Sequence, residues 1–286
     1  MTPTIAPLRW RGGSLPPRPA VMAILNATPD SFFDGGRHEG HERALRRAWA
    51  VVDEGADVLD LGGESTRPGA EAVPLDEELR RVLPVVEALV RDGYPIPISL
   101  DTSRAEVARL GLAAGAVIVN DVTGGTREPS LLHHVAEAGA AVVLMHTRGT
   151  PETMQSMTDY DDVVEDVLSA LAERCEAASA AGIPPEHQSV DPGIGFAKTP
   201  EDCVRLVAHT GRLRSLGRPV LVGASRKSFL GRAFGQEGED RLFGSLAVAA
   251  FAAVAGGAIL RVHDVRETRA VLDVVAGLAA AAPSPG

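Results

Sequence analysis

Eight short apolar runs, each stopped by a polar residue or a glycine and each followed by a stretch of helical periodicity, constrain this chain more than any other feature. The runs are Val21–Leu25, Val58–Leu61, Ile96–Leu100, Val117–Val119, Ala141–Met145, Ser189–Val190, Pro219–Val222 and Ile259–Val262. Helical patterns cover His41–Glu54, Asp76–Arg91, Arg104–Ala114, Ser130–Ala138, Asp162–Ala181, Pro200–Leu216, Leu242–Ala255 and Val265–Ala276. Four times a helix hands over to the next run through Gly-Ala, at Gly55-Ala56, Gly115-Ala116, Gly139-Ala140 and Gly257-Ala258. Runs with no polar face read as parallel strands covered on both sides, because an exposed face would alternate.

Eight strand-then-helix units predict a closed (β/α)8 TIM barrel over residues 20–276. Residues 1–19 form an N-terminal segment and the Pro/Ala-rich tail 277–286 is expected to be disordered. An open doubly wound sheet is the alternative, but it wants a GxGxxG turn after the first strand, and none is present.

Composition closes off several function classes. A formal net charge of −10 and no Lys/Arg run argue against a nucleic-acid partner. Leu242–Leu260 carries no charge, yet it is rich in Ala and split by Gly256-Gly257, so a buried helix and strand fit it better than a membrane span. The two cysteines, Cys175 and Cys203, form no CxxC pair, which points to a reduced, cytoplasmic setting.

Active groups of such barrels sit where strands end, and Asn26, Asp101, Asn120, Asp191, Lys227 and His263 all stand there. Arg67, Lys227, Arg261 and His263 gather cations at one mouth of an acidic protein, as an anion site or as surface ion pairs. Gly223–Ser228 lacks the second glycine of a P-loop, since Arg226 takes its place. A carboxylate can accept two hydrogen bonds from an amino-plus-ring-NH edge and an amide can both donate and accept. Asp101, Asn120 and Asp191 therefore suit a nitrogen heterocycle, with a metal-carboxylate cluster as the alternative. Between Asn26 and Gly36, Pro29 and Gly35-Gly36 break regular structure around Asp30, Ser31, Phe32, Phe33 and Asp34, the makings of a lid over a planar substrate.

Taken in order, Asn26-Ala-Thr-Pro-Asp-Ser-Phe-Phe-Asp-Gly-Gly, Gly63-Glu-Ser-Thr-Arg-Pro-Gly-Ala, Asp101-Thr, Asn120-Asp-Val, Leu144-Met-His, Asp191-Pro-Gly-Ile-Gly-Phe, Gly223-Ala-Ser-Arg-Lys-Ser and Arg261-Val-His-Asp-Val resemble the dihydropteroate synthase family over residues 20 to 276. The resemblance implies a homodimeric TIM barrel of folate biosynthesis and a target of sulfonamides. Its reaction condenses 6-hydroxymethyl-7,8-dihydropterin diphosphate with p-aminobenzoate to give 7,8-dihydropteroate and pyrophosphate.

Carried over motif by motif, the resemblance gives Asp101, Asn120, Asp191 and Lys227 hydrogen-bonding roles to the pterin, with Met145, Phe196 and Gly223 lining its slot. Asn26, Arg67, Arg261 and His263 are expected to hold the diphosphate, with Mg²⁺ on Asn26 and phosphate oxygens. Phe32, Thr66, Pro68 and Ser228 fall in the p-aminobenzoate pocket, and Asp34 could meet the amine. Catalysis would rest on neutralising the leaving group and positioning the arylamine, with no strong base required. Thr147 and Ala27 depart from the family pattern without removing a polar group. A pterin-binding methyltransferase module and a non-catalytic paralogue are the rival readings. The first has no use for Phe32–Asp34 or for the cations Arg67, Arg261 and His263.

Overall fold

A computed structural model describes residues 7–27, 37–65, 69–70 and 72–281, with the backbone alone for residues 37–39. Its eight principal strands are β1 (Ala20–Asn26), β2 (Val58–Gly62), β3 (Ile98–Asp101), β4 (Ile118–Asp121), β5 (Ala141–Met145), β6 (Gln188–Asp191), β7 (Leu221–Val222) and β8 (Ile259–Val262). All pair in parallel in the order β6-β5-β4-β3-β2-β1-β8-β7. A parallel bridge from Val190 to Val220 joins the two ends, so the sheet closes into the barrel that the repeat demanded.

The outer ring is α1 (Arg37–Asp53), α2 (Leu75–Arg91), α3 (Ala105–Ala113), α4 (Ser130–Ala138), α5 (Val163–Ala180), α6 (Pro200–Ala208), α7 (Arg241–Ala255) and α8 (Val265–Ala281). Local chemistry fixes several starts. Asp162 accepts from the backbone of Val164 and Glu165 at the head of α5, and Thr199 with Asp202 forms a capping box before Pro200 on α6. Gly139 and Gly256 close α4 and α7 in the left-handed conformation that a glycine takes without strain.

Three expectations needed correction. The pattern over Pro200–Leu216 is not one helix: α6 stops at Ala208, and the backbone continues as a short turn, Thr210–Leu213, and a 3₁₀ segment, Arg214–Leu216. The Thr210 hydroxyl donates back to the Val207 carbonyl at the break, a local bond that competes with the helical ladder. The last helix runs to Ala281, into the expected tail, because Ala-rich sequence continues a helix readily. Finally, Leu242–Leu260 does become a helix and a strand, and no described helix is long and apolar enough to cross a membrane. Its helix is not wholly buried, however, since Phe243 and Phe251 are 66% and 50% exposed.

The N-terminal segment also belongs to the domain. Arg9–Trp10 pairs with Gly13–Ser14 in a hairpin, and Leu8 and Leu15 bury against Met22, Val58, Ile118, Val143, Leu221 and Ile259. That cluster fills the lower end of the barrel. The Arg11 amide donates to the Gly139 carbonyl and locks the hairpin to the end of α4.

Candidate active site

Residues two apart on a strand share a face. Val58, Ile118, Val143 and Ile259 belong to the apolar plug of the barrel, so Asp60, Asn120, Met145 and Arg261, each two residues further along, also point inward one layer higher. The interior therefore changes from apolar at the bottom to ionic near the C-terminal strand ends.

Arg261 organises that layer. Its Nε donates to Asp60 Oδ2 at 2.6 Å and its guanidinium NH2 to Asp101 Oδ2 at 2.5 Å, while Asn120 Nδ2 donates to Asp60 Oδ2 at 3.0 Å. Asp60 is fully buried, and Asn120, Met145 and Asp101 are nearly so. Burial pushes the Asp101 carboxyl up to about 7 even with the Arg261 guanidinium beside it. Burial also works against the Arg261 charge, but Asp101 and Asp60 outweigh it and hold the guanidinium firmly protonated. Asp60 Oδ1, Asp101 Oδ1 and Ser99 Oγ are buried without a hydrogen-bond partner. Such orphans are expensive, and a ligand edge that donates two hydrogen bonds would satisfy the two carboxylate oxygens.

Opposite them, Asp191 Oδ1 accepts from the Gly193 amide at 2.7 Å. Burial raises the Asp191 carboxyl, opposed by the charge on Lys227. Lys227 donates to the Ile194 carbonyl, and its ammonium sits 4.5 Å from the centre of the Phe196 ring. Burial draws that ammonium down to about 8, with Asp191 resisting. A Cβ on Gly223 would lie 3.8 Å from Asp191 Oδ2 and 3.9 Å from Arg261 Cβ, so the glycine keeps open the space between the carboxylate and the arginine.

At the rim, the Ser225 hydroxyl contacts both the His263 amide and its Nδ1, at 3.2 and 3.1 Å. Arg226, left-handed at φ 54°, turns its guanidinium fork onto Asp264 instead of into the mouth. Asn26 ends β1 beside Gly62 of β2, and Ser228 is exposed before the short helix Phe229–Phe234. The structure thus brings together Asn26, Asp101, Asn120, Met145, Asp191, Phe196, Gly223, Lys227, Ser228, Arg261 and His263 at one end of the barrel. Phe32, Asp34, Thr66, Arg67 and Pro68 lie outside the described residues. No group of three or more His, Cys, Asp or Glu side chains is placed to hold a metal among the described residues.

Two important residues escaped the sequence reading. Asp60 is the single charge inside Val58–Gly62, and a carboxylate in a strand buried on both faces was the available signal. Lys198 is 4% exposed and reaches His146, but nothing in its neighbours marks it as buried. By contrast Asp121, one residue past Asn120, points away from the slot and binds Ser103, Thr123 and Gly125 as a loop organiser.

The chain matches the pterin binding enzyme family over residues 22–263. It is 46% identical over 262 residues to the dihydropteroate synthase of Synechocystis, covering 91% of this chain and 90% of that one. It is 45% identical over 257 residues to the Escherichia coli enzyme of the same name, covering 90% of each. Among solved structures, Xanthomonas albilineans dihydropteroate synthase with 4-aminobenzoic acid superposes with a TM-score of 0.89 at 47% identity, over 98% of this chain and 100% of that one. The same enzyme in complex with 7,8-dihydropteroate gives 0.86 at 45% identity, over 97% and 100%.

Proposed function

The chain belongs to the dihydropteroate synthase family of pterin-binding enzymes, and from that premise we propose how its own residues condense 6-hydroxymethyl-7,8-dihydropterin diphosphate with p-aminobenzoate to 7,8-dihydropteroate and pyrophosphate. The observation that carries the reading is the pair of buried, unpartnered carboxylate oxygens, Asp60 Oδ1 and Asp101 Oδ1, in the ionic layer of the barrel that also holds Asn120, Asp191 and Lys227. An amino-pyrimidinone edge supplies the missing donors, and Lys227 answers its carbonyl or ring nitrogen. Met145 and Phe196 sandwich the flat ring, and Arg261 anchors it within reach of both Asp60 and Asp101.

The exocyclic carbon then points to the open mouth. Its C–O bond breaks, the electron pair leaves with pyrophosphate, and the arylamine lone pair forms the C–N bond before the nitrogen releases one proton to the departing pyrophosphate. The electron-rich dihydropterin shares the positive charge that develops on carbon. Arg261, His263, Asn26 and Arg67 hold the leaving anion, so the chain lowers the barrier by placement and charge rather than by proton abstraction. Phe32, Thr66, Pro68 and Ser228 take the arylamine, and Asp34 meets its nitrogen.

Mg²⁺ fits this donor set in one way. Asn26 offers a neutral oxygen at the end of β1, and the described residues build no cage of carboxylates. An ion held mainly by the substrate's phosphates, with Asn26 as its protein ligand, agrees with magnesium's preference for few protein donors. When bound it neutralises the departing pyrophosphate.

The functional unit is a homodimer in this reading. Phe243 and Phe251 on α7, with Phe234, are at least half exposed around an apolar groove of about 560 Å³ that Val204, Val207 and Leu230 also line. A second copy of the same face covers it well. Two buried, unpaired cysteines support a reducing compartment, the cytoplasm.

The test is pyrophosphate release by the full chain with Mg²⁺ and the pterin diphosphate, with and without p-aminobenzoate, for wild type and Arg261→Ala. Release coupled to dihydropteroate that collapses in the variant supports the synthase. Tight pterin binding with no release would instead favour a non-catalytic paralogue.

A further inference from the structure

The loop after β6 carries Phe196, and it would not hold its shape alone. Gly193, Gly195 and Ala197 are all left-handed, at φ 69°, 83° and 48°. Ala197, unlike the two glycines, has a Cβ that resists that conformation. Contacts from outside the loop must therefore hold it. The Tyr160 hydroxyl donates to the Ala197 carbonyl at 2.9 Å, and Cys203 Sγ accepts from the Gly195 amide at 3.2 Å.

Lys198 supplies a third, charged brace. Its Nζ donates to the Phe196 carbonyl at 2.9 Å and to the His146 carbonyl at 3.5 Å, and lies 3.0 Å from His146 Nδ1. None of these partners is a carboxylate. Burial brings the lysine down to about 7, with Cys203 and Asp191 opposing and Lys227 and Arg148 adding to the fall. Burial, reinforced by Lys198, holds His146 near 3, so its ring is neutral and Nδ1 is the acceptor assigned by this contact. The His146 amide in turn donates to the Asp191 carbonyl at 2.9 Å. A buried lysine with no carboxylate in hydrogen-bond contact is costly, and this one spans the ends of two strands that border the slot.

We propose that Lys198, braced by His146, is a positioning residue for the pterin slot. It ties the end of β5 to the Phe196 carbonyl and so keeps the Gly193–Phe196 loop in its left-handed course. That course places the Phe196 ring and the Ile194 carbonyl on which Lys227 is anchored. The inference rests on the pterin reading of the slot given above, and Lys198 itself touches no substrate.

Steady-state kinetics of the full chain, varying each substrate separately, test it with Lys198→Met, His146→Leu and His146→Asn. The methionine keeps the stem without the ammonium, and the asparagine restores an acceptor near the position of Nδ1. Lys198→Met and His146→Leu should raise KM for the pterin diphosphate about tenfold while leaving KM for p-aminobenzoate within about twofold. His146→Asn should recover most of the loss. A folded Lys198→Met protein with unchanged pterin KM, or with kcat reduced and both KM values unchanged, overturns the proposal. Thermal unfolding shows whether Lys198→Met folds. If it does not, the two His146 variants decide, and equal pterin KM in both overturns the proposal. If wild type makes no dihydropteroate, the functional reading fails. Direct binding of 6-hydroxymethylpterin to the same variants then judges the brace, and equal affinities overturn it.

Discussion

Arg261 Nε lies 2.6 Å from Asp60 Oδ2, at the level where the barrel interior turns from apolar to ionic. The same Asp60 oxygen takes the amide of Asn120, so one fully buried carboxylate orients both an arginine and an amide of the slot. Asp60→Asn keeps the shape and removes the charge. Charge-assisted hydrogen bonds contribute about 1.5–3 kcal/mol, so kcat/KM for the pterin diphosphate should fall by roughly ten- to a hundredfold, with KM for p-aminobenzoate little changed. Loss shared equally between the two substrates would show that Asp60 serves the fold alone.

Gly193 leaves no room for a side chain. A Cβ there would stand 2.0 Å from the His146 carbonyl oxygen, and the backbone is left-handed as well. Gly193→Ala should cost about 2 kcal/mol or more in denaturant unfolding and should abolish measurable pterin binding. An alanine protein that binds pterin like wild type would contradict this geometry.

The raised acid Asp101 gives a pH signature. Its carboxyl sits at about 7 in the fold and at about 3.9 in the unfolded chain. An acid shifted upward contributes stability that is complete below its unfolded value and is lost as pH rises through its folded value. Asp101→Asn cannot ionise, so it should gain on wild type between about pH 4 and about pH 7, by at most about 1.4 kcal/mol per unit. Lys227, drawn down to about 8, contributes no slope in that window because it stays protonated in both states. Urea unfolding across the range reads the difference, and a gap independent of pH would count against the assignment.

Chelation should stop turnover and Mg²⁺ should restore it. Asn26→Ala should raise the Mg²⁺ concentration for half-maximal activity about tenfold, the usual order for loss of one ligand or its close support, while pterin binding without diphosphate stays at the wild-type level. An unchanged Mg²⁺ requirement would remove Asn26 from the metal.

Phe243→Glu on α7 should convert the protein to a monomer in sedimentation at micromolar concentration, because a charge at the centre of an apolar interface is left without a partner. A wild-type protein that sediments as a monomer would dismiss the second copy as the occupant of that face.

Much of this was legible in the sequence because the barrel repeats one signal eight times. An apolar run such as Ala141–Met145 is buried along its whole length, so it marks a strand and its end without reference to the other runs. Asp101, Asn120 and Asp191 stood out for the same reason, as polar groups closing such runs. Asp60 did not, because it sits within the run, and only the pairing of β2 with β1 and β3 brings it beneath Arg261. Lys198 and His146 depend on a contact between the ends of β5 and β6 that no local pattern encodes. The break after Ala208 was hidden because the apolar spacing continues through it while a threonine hydroxyl redirects the backbone.

The register of Ala20 against Ile259 has a consequence for synthesis on the ribosome. The first barrel strand to emerge has its final neighbour in the last one, so that edge waits unpaired while most of the barrel is made. Closing so long a loop is slow, and an open parallel edge invites pairing with other chains. Nascent chains halted before Ile259 therefore still carry that open edge.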